Sequence, residues 1–337
     1  MILKTAHMGR FFLKYAKQHL SLEQQAELLL SRGLVADKQK LMECLSNIGY
    51  YRLSAYWHPY RVRRDGIIQD EIVPGTTLEQ VWLHYRFDRN LHLCLLDAIE
   101  RIEIALRSRL AYHHTENASP FDYARSSYFP HWKDYDKKLA RLGRPAGNKL
   151  NAIDFVEHFF NKYGDCHSIM PLWMAMGVTE LGFVVHFFEH SEKSVRSRIS
   201  HEWGLKNKTL LSWLKAINAL RNECAHHARV WNRTFRVVPA IPSFTENKLW
   251  SCSYSVELGR WIRNVSPSPD QETLFFSSSR TAALIFVCRC IMRHVAPASK
   301  WHCRMQELID SFAAQGVDMT KMGLPPHWKS HPLWRED

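Results

Sequence analysis

LLSWLKAINALRNECAHHARVWNR, residues 210–233, decides how this chain is read. Placed at about 100° per residue, Leu210, Trp213, Leu214, Ile217, Leu220 and Cys224 fall on one apolar stripe, which predicts a helix buried along one side. Arg221 falls inside that stripe. A guanidinium facing a core is costly unless it is paired or opens onto a cavity, so its position needs a reason. Asn222 and His226, one turn apart, share a neighbouring face. The stretch thus offers an always-charged phosphate binder, an imidazole that exchanges protons near neutral pH, and an amide able to orient either. The plainer account makes Arg221 a buried salt-bridge residue and His226 a satisfied helix histidine.

Arg221, Asn222 and His226 read R-N-x3-H. This matches the R-x4-6-H motif of HEPN ribonucleases, and RNECAHHARVWNR around it resembles the Abi-like abortive infection family (AbiD/AbiF type) of phage-defence proteins. Other stretches agree with that family in the same order: SLEQQAELLLSRGL at 21–34, IGYYRLSAYWHPY at 48–60, PGTTLEQVWLHYRFDRNL at 74–91, IERIEIALRSRLA at 99–111 and MGLPPHWKSHPLW at 322–334. The bare spacing is weak in a chain with 19 His. Arg52 with His58, Arg86 with His92, Arg107 with His113, Arg196 with His201 and Arg289 with His294 satisfy it too. The Asn after Arg221, the amphipathic run before it and the HARVWNR continuation set this copy apart.

The resemblance implies an all-α, HEPN-like helical bundle and a metal-independent endoribonuclease of phage defence, of the abortive infection or toxin-antitoxin kind, without cofactor. RNA carries its own nucleophile, the 2′-hydroxyl, so cleavage needs only proton transfer and charge stabilisation at phosphorus. His226 suits the first task and Arg221 the second. One chain offers one convincing imidazole, since the neighbouring His227 points to another face. HEPN proteins commonly dimerise so that two motifs share a cleft, and a homodimer is expected here. The competing reading is a non-catalytic RNA-binding protein that holds a small noncoding RNA; a third is an adaptor whose apolar helices dock a partner protein.

Composition favours a polyanionic partner. Lys and Arg number 45 against 33 Asp and Glu, a net charge of +12, which points to nucleic acid before an anionic membrane. No stretch reaches about 18 uninterrupted apolar residues and the first 20 residues lack the apolar core of a secretory signal, so a cytoplasmic protein with no membrane partner is expected. The eight cysteines read as reduced thiols. Cys288, Cys290, His294, His302 and Cys303 invite a zinc reading, but C-x-C on a helix sets its two thiols about 200° apart, and no C-x2-C knuckle exists. No metal is expected.

Along the chain, Ser21 and Gln24 form a capping box before a helix over 21–31 that Gly33 ends. A second helix spans Lys38 to Asn47, closed by Gly49. YYRLSAYWHPY with Arg52, Arg61, Arg63 and Arg64 suits either stacking on unpaired bases or an aromatic packing belt. Thr77 and Gln80 cap a long helix over 78–114, expected to be the main partner of the motif helix; its Glu100 or Glu103 either pairs with Arg221 or lies on the surface balanced by Arg101 and Arg107. Residues 117–150 read as a basic insertion, with Lys137, Lys138, Arg141 and Arg144 as candidate phosphate contacts alongside Arg52, Arg229 and Arg233. Helical patterns return at 153–163 and 172–190, the latter led by Pro171. VVPAIPS at 237–243 is expected to stop the motif helix. A last apolar helix precedes an irregular tail packed through Trp328 and Trp334. This gives an N-terminal helical extension, 1–75, and a HEPN-like domain, 76–337, with no strand-rich region.

Overall fold

The computed structural model describes residues 18–142, 153–243, 245–250, 252–255, 259–263, 278–324 and 327–335. It is 60% helical, with twelve α-helices and two small two-stranded sheets among those residues, an all-α protein as the sequence implies. The chain divides into two compact units, Met1–Tyr85 and Arg86–Asp337.

The first unit contains α1 (Leu22–Ser31), α2 (Lys38–Ile48), α3 (Tyr50–Trp57), a hairpin of β1 (Arg61–Arg64) and β2 (Ile67–Ile72), and the opening of α4 (Leu78–Thr115). The predicted capping boxes are present. Ser21 Oγ accepts from Gln24 N at 3.2 Å while Gln24 Oε1 accepts from Ser21 N at 2.8 Å; Thr77 and Gln80 repeat the exchange at 3.2 and 3.0 Å. Leu29, Leu41, Leu45, Leu53, Tyr56 and Val81 form its core. The hairpin was hidden by its charges. Asp65 and Gly66 both take positive φ, 50° and 78°, the two-residue turn whose twist matches paired strands. The arginines before it are strand residues: Arg61 engages Asp70, which Arg32 at the end of α1 also holds, and Arg64 lies 3.6 Å from Glu71.

In the second unit α4 runs on to Thr115. Residues 117–142 are less irregular than their composition suggests. Two short 3-10 turns, Asp122–Ala124 and Ser126–Tyr128, lead to α5 (Tyr135–Leu139), and Tyr123, Phe129, Trp132 and Tyr135 are buried there. Phe129 meets Tyr135 and Phe187 edge-on, both at 4.8 Å between centroids, so aromatic packing orders a segment that looks like a loop in sequence.

After α6 (Asp154–Tyr163) comes the span 172–190, which is two helices and not one: α7 (Leu172–Gly177) and α8 (Leu181–His190). The break has a visible cause. Arg107 of α4 donates to the carbonyls of Met176 (2.8 Å), Gly177 (3.2 Å) and Thr179 (2.6 Å), satisfying groups that a helix end leaves open. Then follow α9 (Lys193–Glu202), α10 (Asn207–Ala225), a ribbon of β3 (Cys252–Ser255) with β4 (Arg260–Arg263), α11 (Thr281–Val295) and α12 (Trp301–Ala314). Every residue of α11 from Thr281 to Met292 is buried, so it is enclosed on all sides. Burial pushes the Cys288 and Cys290 thiols up to about 12. They are core thiols, and the Cys/His set around them does not converge on one point among the described residues. Trp328 and Trp334 are buried, 4.7 Å apart edge-on, and tie the tail to the core as the sequence suggests. None of the described helices is long and apolar enough to cross a membrane.

Candidate functional site

Helix α10 buries Leu210, Trp213, Leu214, Ile217, Leu220 and Cys224, the stripe read from sequence. It packs on α8, α11 and α9, and Arg221 near its end faces residues of α4 across a cavity. It also ends earlier than expected, at Ala225, well before VVPAIPS. His226 caps it, with its N–H on Asn222 O at 2.9 Å; His227 N–H returns to Cys224 O at 3.0 Å and Ala228 N–H to Glu223 O at 2.9 Å. That pair of returning bonds is a Schellman ending, which needs a left-handed residue and usually takes glycine. His227 fills the position with φ 57°.

Asp88 of α4 fixes the chain beyond. This carboxylate, fully buried, accepts the backbone N–H of Trp231 at 2.6 Å and of Val230 at 3.1 Å. His92, one turn along α4, places Nε2 at 3.4 Å from it. Thr281 Oγ1 donates to Val230 O at 2.8 Å. ARVWNR is therefore a non-helical segment, turning at Trp231 and Asn232 where Asn232 takes φ 52°, held by side chains of α4 and α11, which is why the helix stops: Asp88 satisfies amides that would otherwise bond up the helix. Sequence reasoning passed over Asp88; its signal was a carboxylate on the apolar side of α4, between Phe87 and Leu91, both buried.

Arg221 is half-buried, at the edge of the stripe and not within it. Its Nη1 donates to Asn222 Oδ1 at 3.0 Å, so the amide orients the guanidinium. The group borders a cavity of about 330 Å³ with Leu96, Ile99, Glu100, Glu103, Ile104 and Arg107. Arg221 joins no ion pair among the described residues. Glu103 is committed to Arg107, and Glu100 is exposed; neither forms the buried pair that the plainer account of Arg221 required. Asn222 and His226 are both exposed. His226 stands past the helix end, joined to Asn222 through the backbone, so the two do not share a helical face as expected.

The other R-x4-6-H pairs fare differently. Arg107 is spent on α7, Arg289 is buried with Nε on Leu333 O at 3.0 Å, and His92 lies against Asp88. Of the proposed RNA contacts, Arg233 pairs with Glu223 and lies 5.8 Å over Phe235, while Arg229 is half-buried and reaches Asn232 O at 3.4 Å. Arg233 thus ties the segment after α10 back to that helix, and Arg229 bonds within the segment. Arg52 sits half-buried on α3 in the first unit. Lys137, Lys138 and Arg141 line a separate, open cavity of about 550 Å³ with His131, Trp132, Lys133, Asp134, His186 and His190; Arg144 lies outside the described residues.

A helical protein in which a long helix pins the segment following a second helix, and in which that second helix ends in an oriented arginine and an exposed histidine, is what residues 86–233 define. The chain belongs to the Abi-like protein family, whose model matches residues 43–232, more than half of it. Membership in that family suggests a part in abortive infection, a form of phage defence. No curated protein and no solved structure matches the chain.

Proposed function

We propose that this Abi-like protein is a metal-independent endoribonuclease of the HEPN type, with Arg221 and His226 as its catalytic pair and Asn222 as the residue that orients the guanidinium. The observation that carries the reading is Arg221 itself: half-buried at a cavity mouth, held by Asn222 Oδ1, and free of any ion pair among the described residues. A guanidinium placed purely for stability would be matched by a carboxylate; this one keeps its fork of donors for a phosphate.

In this mechanism His226 takes the proton from a 2′-hydroxyl, the oxygen attacks the adjacent phosphorus, and Arg221 neutralises the charge that builds on the non-bridging oxygens. The 5′-oxygen leaves with a proton, and the product ends in a 2′,3′-cyclic phosphate. His226 is the motif's one imidazole at the ending of α10, with His227 beside it in the left-handed turn, and acid and base are both needed. A homodimer that brings two α10 ends together completes the set. A second reading, an RNA-binding protein that holds a small noncoding RNA uncut, is favoured by one observation: the His226 side chain forms no hydrogen bond with Arg221 or Asn222 among the described residues. Incubating the protein with labelled single-stranded RNA in EDTA separates the two. Shortened products with cyclic phosphate ends support the enzyme; retained, full-length RNA supports the binder.

A further inference from the structure

Helix α8 carries a second constellation, distinct from Arg221 and His226. His186 and His190 stand four residues apart, one turn along the same side, with Glu189 beside them. One ligand atom from each of the three lies within 4.8 Å of the others. Two imidazoles and a carboxylate are the donor types of a three-ligand zinc centre, which keeps its fourth position open. The carboxylate is divided between two tasks. Its Oε1 holds Lys215 Nζ at 2.6 Å, leaving Oε2, 3.5 Å from His186 Nδ1, on the imidazole side.

The rings are fixed from behind. Trp132, itself buried, stacks on His190 at 5.1 Å and 14° between planes and lies 6.1 Å from His186 at 28°; the two imidazoles are within 14° of parallel. Rings held by such a backing need little reordering to meet a cation, the role usually filled by partners outside the ligand set. Both histidines open on the 550 Å³ cavity that Lys133, Lys137, Lys138 and Arg141 also line. Those cations make a bare dication costly and a dication carrying an anion favourable.

We infer that His186, Glu189 and His190 form a binding site for a zinc-class divalent cation, whose open coordination position faces the basic cavity and takes an oxygen anion such as phosphate. The H-x2-E-H spacing at 186–190 was the available sequence signal. The site is independent of the ribonuclease reading and stands or falls on metal binding alone.

The test is calorimetric titration of the untagged, full-length protein with Zn2+, paralleled by Co2+ and its visible absorption. Saturable binding of one cation per chain with the spectrum of tetrahedral Co2+ is expected. His190→Ala and Glu189→Gln should each weaken it by more than about tenfold, the low end of what losing even an outer partner costs, with the circular dichroism spectrum unchanged. Inorganic phosphate should tighten Zn2+ binding to the wild type. His158→Ala, an exposed histidine outside the cluster, controls for adventitious capture by a histidine-rich surface and should bind as the wild type does. Absence of saturable binding, or equal binding by wild type and His190→Ala, overturns the site.

Discussion

The carboxylate of Asp88 accepts the backbone N–H of Trp231 at 2.6 Å, with no solvent reaching Asp88. Through this one bond, and its companion to Val230, helix α4 decides where the chain goes after the candidate site. Asp88→Ala should strand two buried amides, each costing about 1–3 kcal/mol, and so lower stability by roughly 3 kcal/mol or more. Asp88→Asn keeps one acceptor oxygen and should cost less. Urea unfolding reads both; an alanine variant within about 0.5 kcal/mol of the wild type, as at an ordinary surface position, would remove Asp88 from this role.

His227 occupies the left-handed position that ends α10, with φ 57°. Such a conformation costs a non-glycine residue on the order of 1 kcal/mol, and glycine adopts it freely. His227→Gly is expected to raise stability by about that amount in thermal melts. A destabilised variant would show that the His227 side chain contributes more than its backbone strain costs.

Acid should weaken the fold. Burial lowers the His331 pKa to about 3 and is the main cause holding His114 at about 4, well under the usual 6.5. Below pH 6.5 the unfolded chain takes up protons at these residues while the folded chain does not, so stability is full above 6.5 and falls as the pH drops toward 4. At pH 5 the loss approaches about 2 kcal/mol for each. Melting temperatures across pH 7 to 5 test this; a flat profile contradicts it.

Much of the helical plan was legible because it rests on local rules. The capping boxes at Ser21 and Thr77 and the apolar spacing of α4, α10 and α11 depend on nearby residues, and they appear where expected. What stayed hidden depends on distant partners. The end of α10 is set by Asp88, about 140 positions away in sequence, and the break after α7 by Arg107. The β1–β2 hairpin announced itself only through Asp65-Gly66, amid arginines that drew attention to charge. At the candidate site the sequence named residues and could not give their geometry. Arg221 and Asn222 meet directly, whereas His226 lies off the helix, Arg233 pairs with Glu223 and Arg229 reaches Asn232 O.

RNA binding should be electrostatic. Lys137, Lys138 and Arg141 line one open cavity, and each phosphate contact on a single strand contributes about 0.7 to the salt slope. Replacing all three with alanine should reduce that slope by about 2 without altering the chemistry of cleavage. An unchanged slope, measured by fluorescence anisotropy over a salt series, places the RNA elsewhere.

The central claim is that His226 moves a proton while Arg221 stabilises charge, and the cleavage rate of His226→Ala on single-stranded RNA tests it most directly. The side chain is exposed and forms no hydrogen bond or ion pair among the described residues, so the variant should melt at the wild-type temperature and still bind RNA. Its cleavage rate should fall by on the order of a hundredfold or more. A folded His226→Ala protein that cuts RNA at the wild-type rate would contradict the account.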